Sequence, residues 1–169
     1  MSNKYTEHLQ VIVEDDANRQ LTNGLSLNPK VRPRQLQVLP NACGWLKVLN
    51  RLQDLPTIRD LEAYKKRHLL LLIDFDNQLD SRLEEYKALK AGLPAGVADR
   101  IYLLGCIEEP EKFRAACNYS KSIEKLGLEL SDDCSPPPAQ NLWQHAHMLH
   151  NAAELHRLVT QVRPFLYVP

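Results

Sequence analysis

Five apolar residues in a row, Leu69 to Ile73, run straight into Asp74 in the stretch HLLLLIDFDNQLD (residues 68–80). A strand with one wet face alternates apolar and polar side chains; a strand covered on both faces has no reason to. The run therefore reads as the central strand of a sheet with helices above and below it. Around it, strand-like and helix-like segments alternate, which implies βαβ units.

LQVIV (9–13) and LQVLP (36–40) read as strands, the second ended by Pro40. RIYLLGC (100–106) is a further strand. DDANRQLTNGL reads as a helix favoured at its start by Asp15 or Asp16 and stopped at Asn23-Gly24. Trp45, Val48, Leu49 and Leu52 share helical spacing before Pro56, and TIRDLEAYKKRH follows as a helix with Thr57 as its cap. DSRLEEYKALKAG is amphipathic and ends at Gly92. EEPEKFRAAC and SKSIEKLG look helical, Pro136, Pro137 and Pro138 punctuate the chain, and residues 141–162 read as one long helix. The expected fold is a single three-layer α/β/α domain over residues 1–169. Its sheet is mostly parallel with four or five strands. Its core covers about 9–130, with a C-terminal helix and tail at 139–169.

Acids stand at the ends of two of these strands. Glu14, Asp15 and Asp16 end the first; Asp74 and Asp76 end the central one. In a parallel sheet the carboxyl ends of the strands form the ligand crevice. Asp74 and Asp76 are two apart, so they face the same way if the strand continues. Carboxylates brought together repel, and either a proton or a cation resolves the conflict. Mg²⁺ (or Mn²⁺) suits such oxygens, since it takes one or two carboxylates and completes its shell with water and phosphate. Acids after a strand also serve as ordinary helix caps, Asp80 or Ser81 for the next helix and Asp76 for a turn.

At these residues the chain resembles the Toprim (topoisomerase–primase) domain. In that pattern a strand ends in Glu, a later helix opens with Gly, and a further strand ends in Asp-x-Asp. Here Glu14, Gly44 in NACGW, and Asp74 with Asp76 stand at those places. Glu108 or Glu109, after the 100–106 strand, stands where some Toprim nucleases carry another acid. The resemblance implies Mg²⁺-dependent phosphodiester chemistry on nucleic acid in a stand-alone, nuclease-like form. Glu14 would be the general acid/base or a metal ligand, and Asp74 and Asp76 metal ligands. Asp15 and Asp16 are possible accessory acids, and Lys47 and Arg51 candidate phosphate-binding residues. One departure is plain: Asp15 follows Glu14 where the family usually has Gly. A weaker resemblance is to receiver domains, with Asp15 and Asp16 as the Mg²⁺ pair and Asp74 as phosphoacceptor. Against it, Gly105 and Cys106 replace the Ser or Thr expected after the fourth strand, and no Lys follows a fifth.

Composition narrows the alternatives. Lys+Arg and Asp+Glu both total 21, which argues against a protein that coats nucleic acid. The balance is uneven, with 11 basic and 7 acidic side chains in residues 1–70 against 10 and 14 in the remainder. The four cysteines, Cys43, Cys106, Cys117 and Cys134, form no CxxC pair and read as reduced thiols. No signal peptide opens the sequence and the longest apolar run is too short for a bilayer, so a cytoplasmic protein with no membrane partner is expected. His147 and His150, at i and i+3, could share a metal with His145 near by, although interleaved Leu and Ala favour plain imidazoles. No Walker motif, GxGxxG or GxSxG occurs. A module that only binds a partner protein, or a homodimer using the apolar PFLYVP tail, is the competing expectation; the tail packing on its own domain is the simpler one.

Overall fold

Four strands, β1 (His8–Val13), β2 (Leu36–Val38), β3 (Arg67–Asp74) and β4 (Ile101–Cys106), pair in the order β2-β1-β3-β4, all parallel. They belong to a computed structural model that describes residues 5–134 and 141–169. The expected three-layer α/β/α architecture is present. β3 lies inside the sheet, and its odd and even residues feed different cores, which is why its sequence does not alternate. Leu69, Leu71 and Ile73 pack with Val48, Leu49, Leu52, Leu61 and Tyr86. Leu70 turns the other way, toward Leu158, Val162 and Leu166.

The first of these faces is covered by α2 (Trp45–Leu49), α3 (Leu55–Ala63), α4 (Leu79–Ala91) and the short α5 (Ala95–Ala98). Across the other face lie α1 (Asp16–Leu27), α6 (Pro110–Ala116), α7 (Ile123–Asp132), α8 (Ala152–Gln161) and α9 (Arg163–Leu166). The chain leaves β1 toward β2 in one direction and leaves β3 toward β4 in the other. The strand order thus reverses between β1 and β3, the place where open α/β sheets hold their ligands.

Beyond β4 the sheet has no further strand among the described residues. Side chains take that place. Asn151 Oδ1 accepts from Gly105 N–H at 3.1 Å and its Nδ2 donates to Gly105 C=O at 2.9 Å. Glu154 accepts from Leu103 N–H at 3.0 Å, and Arg157 donates to Ile101 C=O at 3.2 Å. A sheet edge covered in this way offers no template for another strand.

Several local expectations are corrected by packing. α1 does not stop at Asn23-Gly24 but runs to Leu27, because Gly24 presses on α7: a Cβ there would lie 2.1 Å from Glu124 O. Gly127 does the same from the other side, 2.1 Å from Leu21 O, so α7 passes through it to Asp132. α3 begins before Thr57: Asp54 is its cap, accepting from Thr57 N–H at 3.2 Å, with Pro56 in the first turn. The long helix expected at 141–162 is broken. One-turn 3-10 segments at Leu142–Gln144 and Leu149–Asn151 precede α8. Between them the His147 C=O accepts from Ile107 N–H at 2.9 Å, and within the first the Trp143 side chain donates through Nε1 to Leu130 C=O at 2.9 Å. The three prolines 136–138 lie outside the described residues.

The PFLYVP tail packs on its own domain. Phe165, Leu166 and Tyr167 are buried, and Tyr167 forms an antiparallel bridge with Val31. All four cysteines are free thiols. Among the described residues no helix is long and apolar enough to cross a membrane.

Candidate functional site

At the reversal point the sheet ladder is finished by a side chain. Glu14 N–H donates to Leu72 C=O at 3.0 Å, continuing β1 beside β3. The Glu14 carbonyl is taken by the loop before α2, accepting from Cys43 N–H at 2.8 Å and Gly44 N–H at 3.4 Å. Its carboxylate then accepts from Asp74 N–H, Oε2 at 2.9 Å. The first and third strand ends are tied together by an acid.

Asp74 is 6% exposed. Asn18, in the first turn of α1 and fully buried, donates through Nδ2 to Asp74 Oδ1 at 3.0 Å and to Asp15 Oδ1 at 3.1 Å. Asp15 is also the cap of α1, accepting from Asn18 N–H at 3.0 Å. Burial pushes the Asp74 carboxyl up to about 7, against the Asn18 bond and with added repulsion from Asp15, Glu14 and Asp76. Glu14 is raised as well, first by burial and then by its acidic neighbours, while the Asp74 N–H opposes the shift. Two carboxyl groups, the charge of one raising the other, are held in a setting that disfavours their charges.

The strand does not continue to Asp76. β3 ends at Asp74, and Asp76 and Asn77 have φ of 46° and 57°. The i, i+2 alternation that would place Asp74 and Asp76 on one face is therefore interrupted. Asp76 is exposed and pairs with Arg82 of α4, Oδ2 to Nη2 at 2.7 Å. Arg82 also donates to the Asp74 carbonyl and lies over the Trp45 ring at 4.5 Å.

The other expected residues are spread around this centre. Asp16 is exposed and bonded to Arg19 at 2.8 Å. Gly44 (φ 135°) precedes α2, and a Cβ there would meet nothing within 4 Å. Lys47 and Arg51 line a surface groove of about 430 Å³ with Pro40, Asn41 and Ala42. Glu108 is paired with Lys112 at 2.8 Å, and Glu109 sits at the cap position of α6. His145, His147 and His150 do not share a helix, and His150 Nε2 bonds to Gly105 C=O at 2.9 Å. Cys106 is buried, and burial more than its acidic neighbours raises its thiol far out of the nucleophilic range.

Among the described residues no three His, Cys, Asp or Glu are arranged to hold a metal ion. Glu14 and Asp74 at the two strand ends each have one oxygen engaged by the protein, and Asp15 is joined to Asp74 through Asn18. The pair Glu14 and Asp74 fits the habit of Mg²⁺, which takes one or two carboxylates and leaves the rest of its shell to water and phosphate. The receiver arrangement fits less well: Asp15 and Asp16 serve α1, and no fifth strand is present among the described residues to carry the lysine. Asn18 and Arg82 are the two residues at the site that sequence reasoning missed. Their only signal is a polar side chain on the inward face of a helix.

No model of a known protein family matches the chain, and no curated protein matches it either.

Proposed function

We propose that the chain carries out Mg²⁺- or Mn²⁺-dependent phosphodiester chemistry on nucleic acid, as a stand-alone Toprim-like domain. The observation that carries this reading is the convergence of Glu14 and Asp74 at the reversal point of a parallel sheet. The pair is held in place by a backbone amide and by Asn18. A divalent ion bound there would offset the repulsion of the two carboxylates and stabilise charge on a transferring phosphoryl group. The chain's own contributions are positional. β1 and β3 set the separation of the acids, and Asn18 orients the Asp74 carboxylate. Glu14, raised by burial, is suited to exchange a proton with an attacking water or a leaving oxygen. Lys47 and Arg51, exposed along the groove before and beside α2, supply positive charge for a nucleic-acid backbone.

The test has two parts. Melting curves with and without Mg²⁺ or Mn²⁺ should show a rise for the wild type that vanishes in Asp74→Asn. Plasmid nicking should require the metal and disappear in Asp74→Ala. Metal binding without cleavage of any nucleic acid removes the catalytic part.

One observation favours a second reading, a non-catalytic module that binds a partner protein. Each acid at the site already has an internal partner: a backbone amide for Glu14, Asn18 for Asp15 and Asp74, Arg82 for Asp76. That reading expects no change of melting temperature with Mg²⁺ and a stable complex in a pull-down or a homodimer in solution.

A further inference from the structure

We infer that Asp76 belongs to Arg82 and not to the cation-holding pair, so that Arg82 is a positioning residue and the Asp-x-Asp spacing supplies one metal-facing carboxylate, Asp74, together with one latch. This rests on the functional reading above and sharpens it.

The first ground is the backbone. Two successive non-glycine residues, Asp76 and Asn77, adopt the left-handed region that L side chains rarely visit. Such a conformation persists only where surroundings over-determine it. Here they do: Phe75 N–H donates to Cys106 C=O at 2.9 Å, Asn77 N–H to Ile107 C=O at 2.8 Å, and Gln78 N–H to Phe75 C=O at 2.7 Å. The turn is bolted to the end of β4, and it directs Asp76 toward α4.

The second ground is the arginine. The Arg82 side chain is 5% exposed, while that of Asp76 is 52% exposed. A guanidinium remains charged at any ordinary pH, and a buried one needs a counter-charge. Asp76 is the carboxylate that Arg82 contacts, at 2.7 Å; its other hydrogen bond goes to a neutral carbonyl, that of Asp74. Were Asp76 to swing onto a metal ion, buried Arg82 would lose the carboxylate it bonds. Were it to stay, the ion would find Glu14 and Asp74 without Asp76.

The third ground is what Arg82 joins. It bonds the end of β3 through the Asp74 carbonyl, holds the turn through Asp76, and stacks on Trp45 at the start of α2. Trp45 follows Gly44, whose N–H meets the Glu14 carbonyl at 3.4 Å. One guanidinium thus braces the segments that flank both Glu14 and Asp74.

The experiment uses the full chain and reads binding and stability, not activity. Mn²⁺ uptake is followed by the electron-spin resonance signal of the free ion. Asp76→Asn should keep its Mn²⁺ affinity within about threefold of wild type, while Asp74→Asn loses about tenfold or more, the scale seen when groups around a metal are removed. An equal loss in the two variants overturns the inference. In parallel, metal-free melting temperatures are measured for Asp76→Asn, Arg82→Gln and the double variant. The double variant should melt no lower than the weaker single; additive losses overturn the pairing. If Arg82→Gln does not fold, Arg82→Lys takes its place in the cycle, since lysine keeps the charge but loses the fork. Absence of any Mn²⁺ uptake by the wild type overturns the catalytic reading and the metal half of this inference, whereas the melting cycle still decides whether Asp76 serves Arg82.

Discussion

The carboxylate of Glu14 takes the place of a backbone carbonyl for Asp74, accepting its N–H at 2.9 Å where a parallel ladder would otherwise continue. One side chain therefore has two duties, closing the sheet and facing the crevice. Substitutions separate them. Glu14→Gln keeps an acceptor and should leave stability within about 1 kcal/mol of wild type, while Glu14→Ala orphans the Asp74 N–H and should cost about 1–3 kcal/mol. Both should abolish metal-dependent nicking. Urea denaturation and a plasmid assay on the same preparations check this.

Asp74 makes the metal-free protein less stable as pH rises toward neutrality. Its carboxyl is raised from an ordinary 3.8 to about 7 in the folded chain, first by burial. A group whose folded value is raised contributes stability in full below its unfolded value and loses it as pH rises through the folded one. The window of loss therefore runs from about pH 4 to pH 7. Asp74→Asn, which keeps an oxygen for the Asn18 amide, should be more stable than wild type at pH 8 by about 1–3 kcal/mol, and little different near pH 4. Denaturation at several pH values, with chelator present, reads this out.

His68 acts with the opposite sign. Burial, helped by repulsion from Arg100 and His8, lowers it from 6.5 to about 4. It is held as the neutral imidazole, with Nδ1 3.0 Å from the Tyr102 hydroxyl. Its contribution is complete above pH 6.5 and is lost as pH falls toward 4, because the unfolded chain binds the proton first. Wild type should lose about 1–2 kcal/mol more than His68→Gln between pH 7 and pH 4.5. Melting curves across that interval test it.

The contact between α1 and α7 leaves no room for a methyl group. A Cβ at Gly24 would stand 2.1 Å from Glu124 O, and one at Gly127 2.1 Å from Leu21 O. Both obstacles are backbone, which cannot step aside as a side chain can. Gly24→Ala and Gly127→Ala should each cost about 3 kcal/mol or more despite the better helix propensity of alanine. Gly96→Ala, where a Cβ meets nothing within 4 Å, serves as the control.

Asn151 should be hard to replace. It is 3% exposed and satisfies both the N–H and the C=O of Gly105. Asn151→Ala should cost about 1–3 kcal/mol by leaving the Gly105 N–H without its acceptor. Asn151→Asp should do no better at neutral pH, since it sets a carboxylate oxygen against the Gly105 carbonyl. Denaturant midpoints of the two variants provide the measurement.

Much of the fold and part of the site are legible from sequence. The unbroken run Leu69 to Ile73 can only be served by cover on both faces, so the sheet's centre and the helical layers follow from hydrophobic burial alone. Acids directly after β1 and β3 land at the carboxyl ends of neighbouring strands because parallel strands share a direction. Asp15 caps α1 by a bond within three residues, so it too is local information.

What sequence could not settle involves partners far along the chain. Asn18 meets Asp74 across 56 positions, and Asn151 meets Gly105 across 46. The turn that carries Asp76 away from the Asp74 direction is held by carbonyls of Cys106 and Ile107, and the helix expected at 141–162 breaks where the His147 carbonyl bonds Ile107 N–H and the Trp143 indole bonds Leu130 of α7. Gly24 looked like a helix stop because glycine is a poor helix former; it is a helix interior because α7 arrives at its surface. Hydrophobic pattern and capping are written in neighbouring residues and so determine which elements form. Which polar groups face each other is decided only when those elements pack, because buried donors, acceptors and charges must find partners wherever the fold brings them.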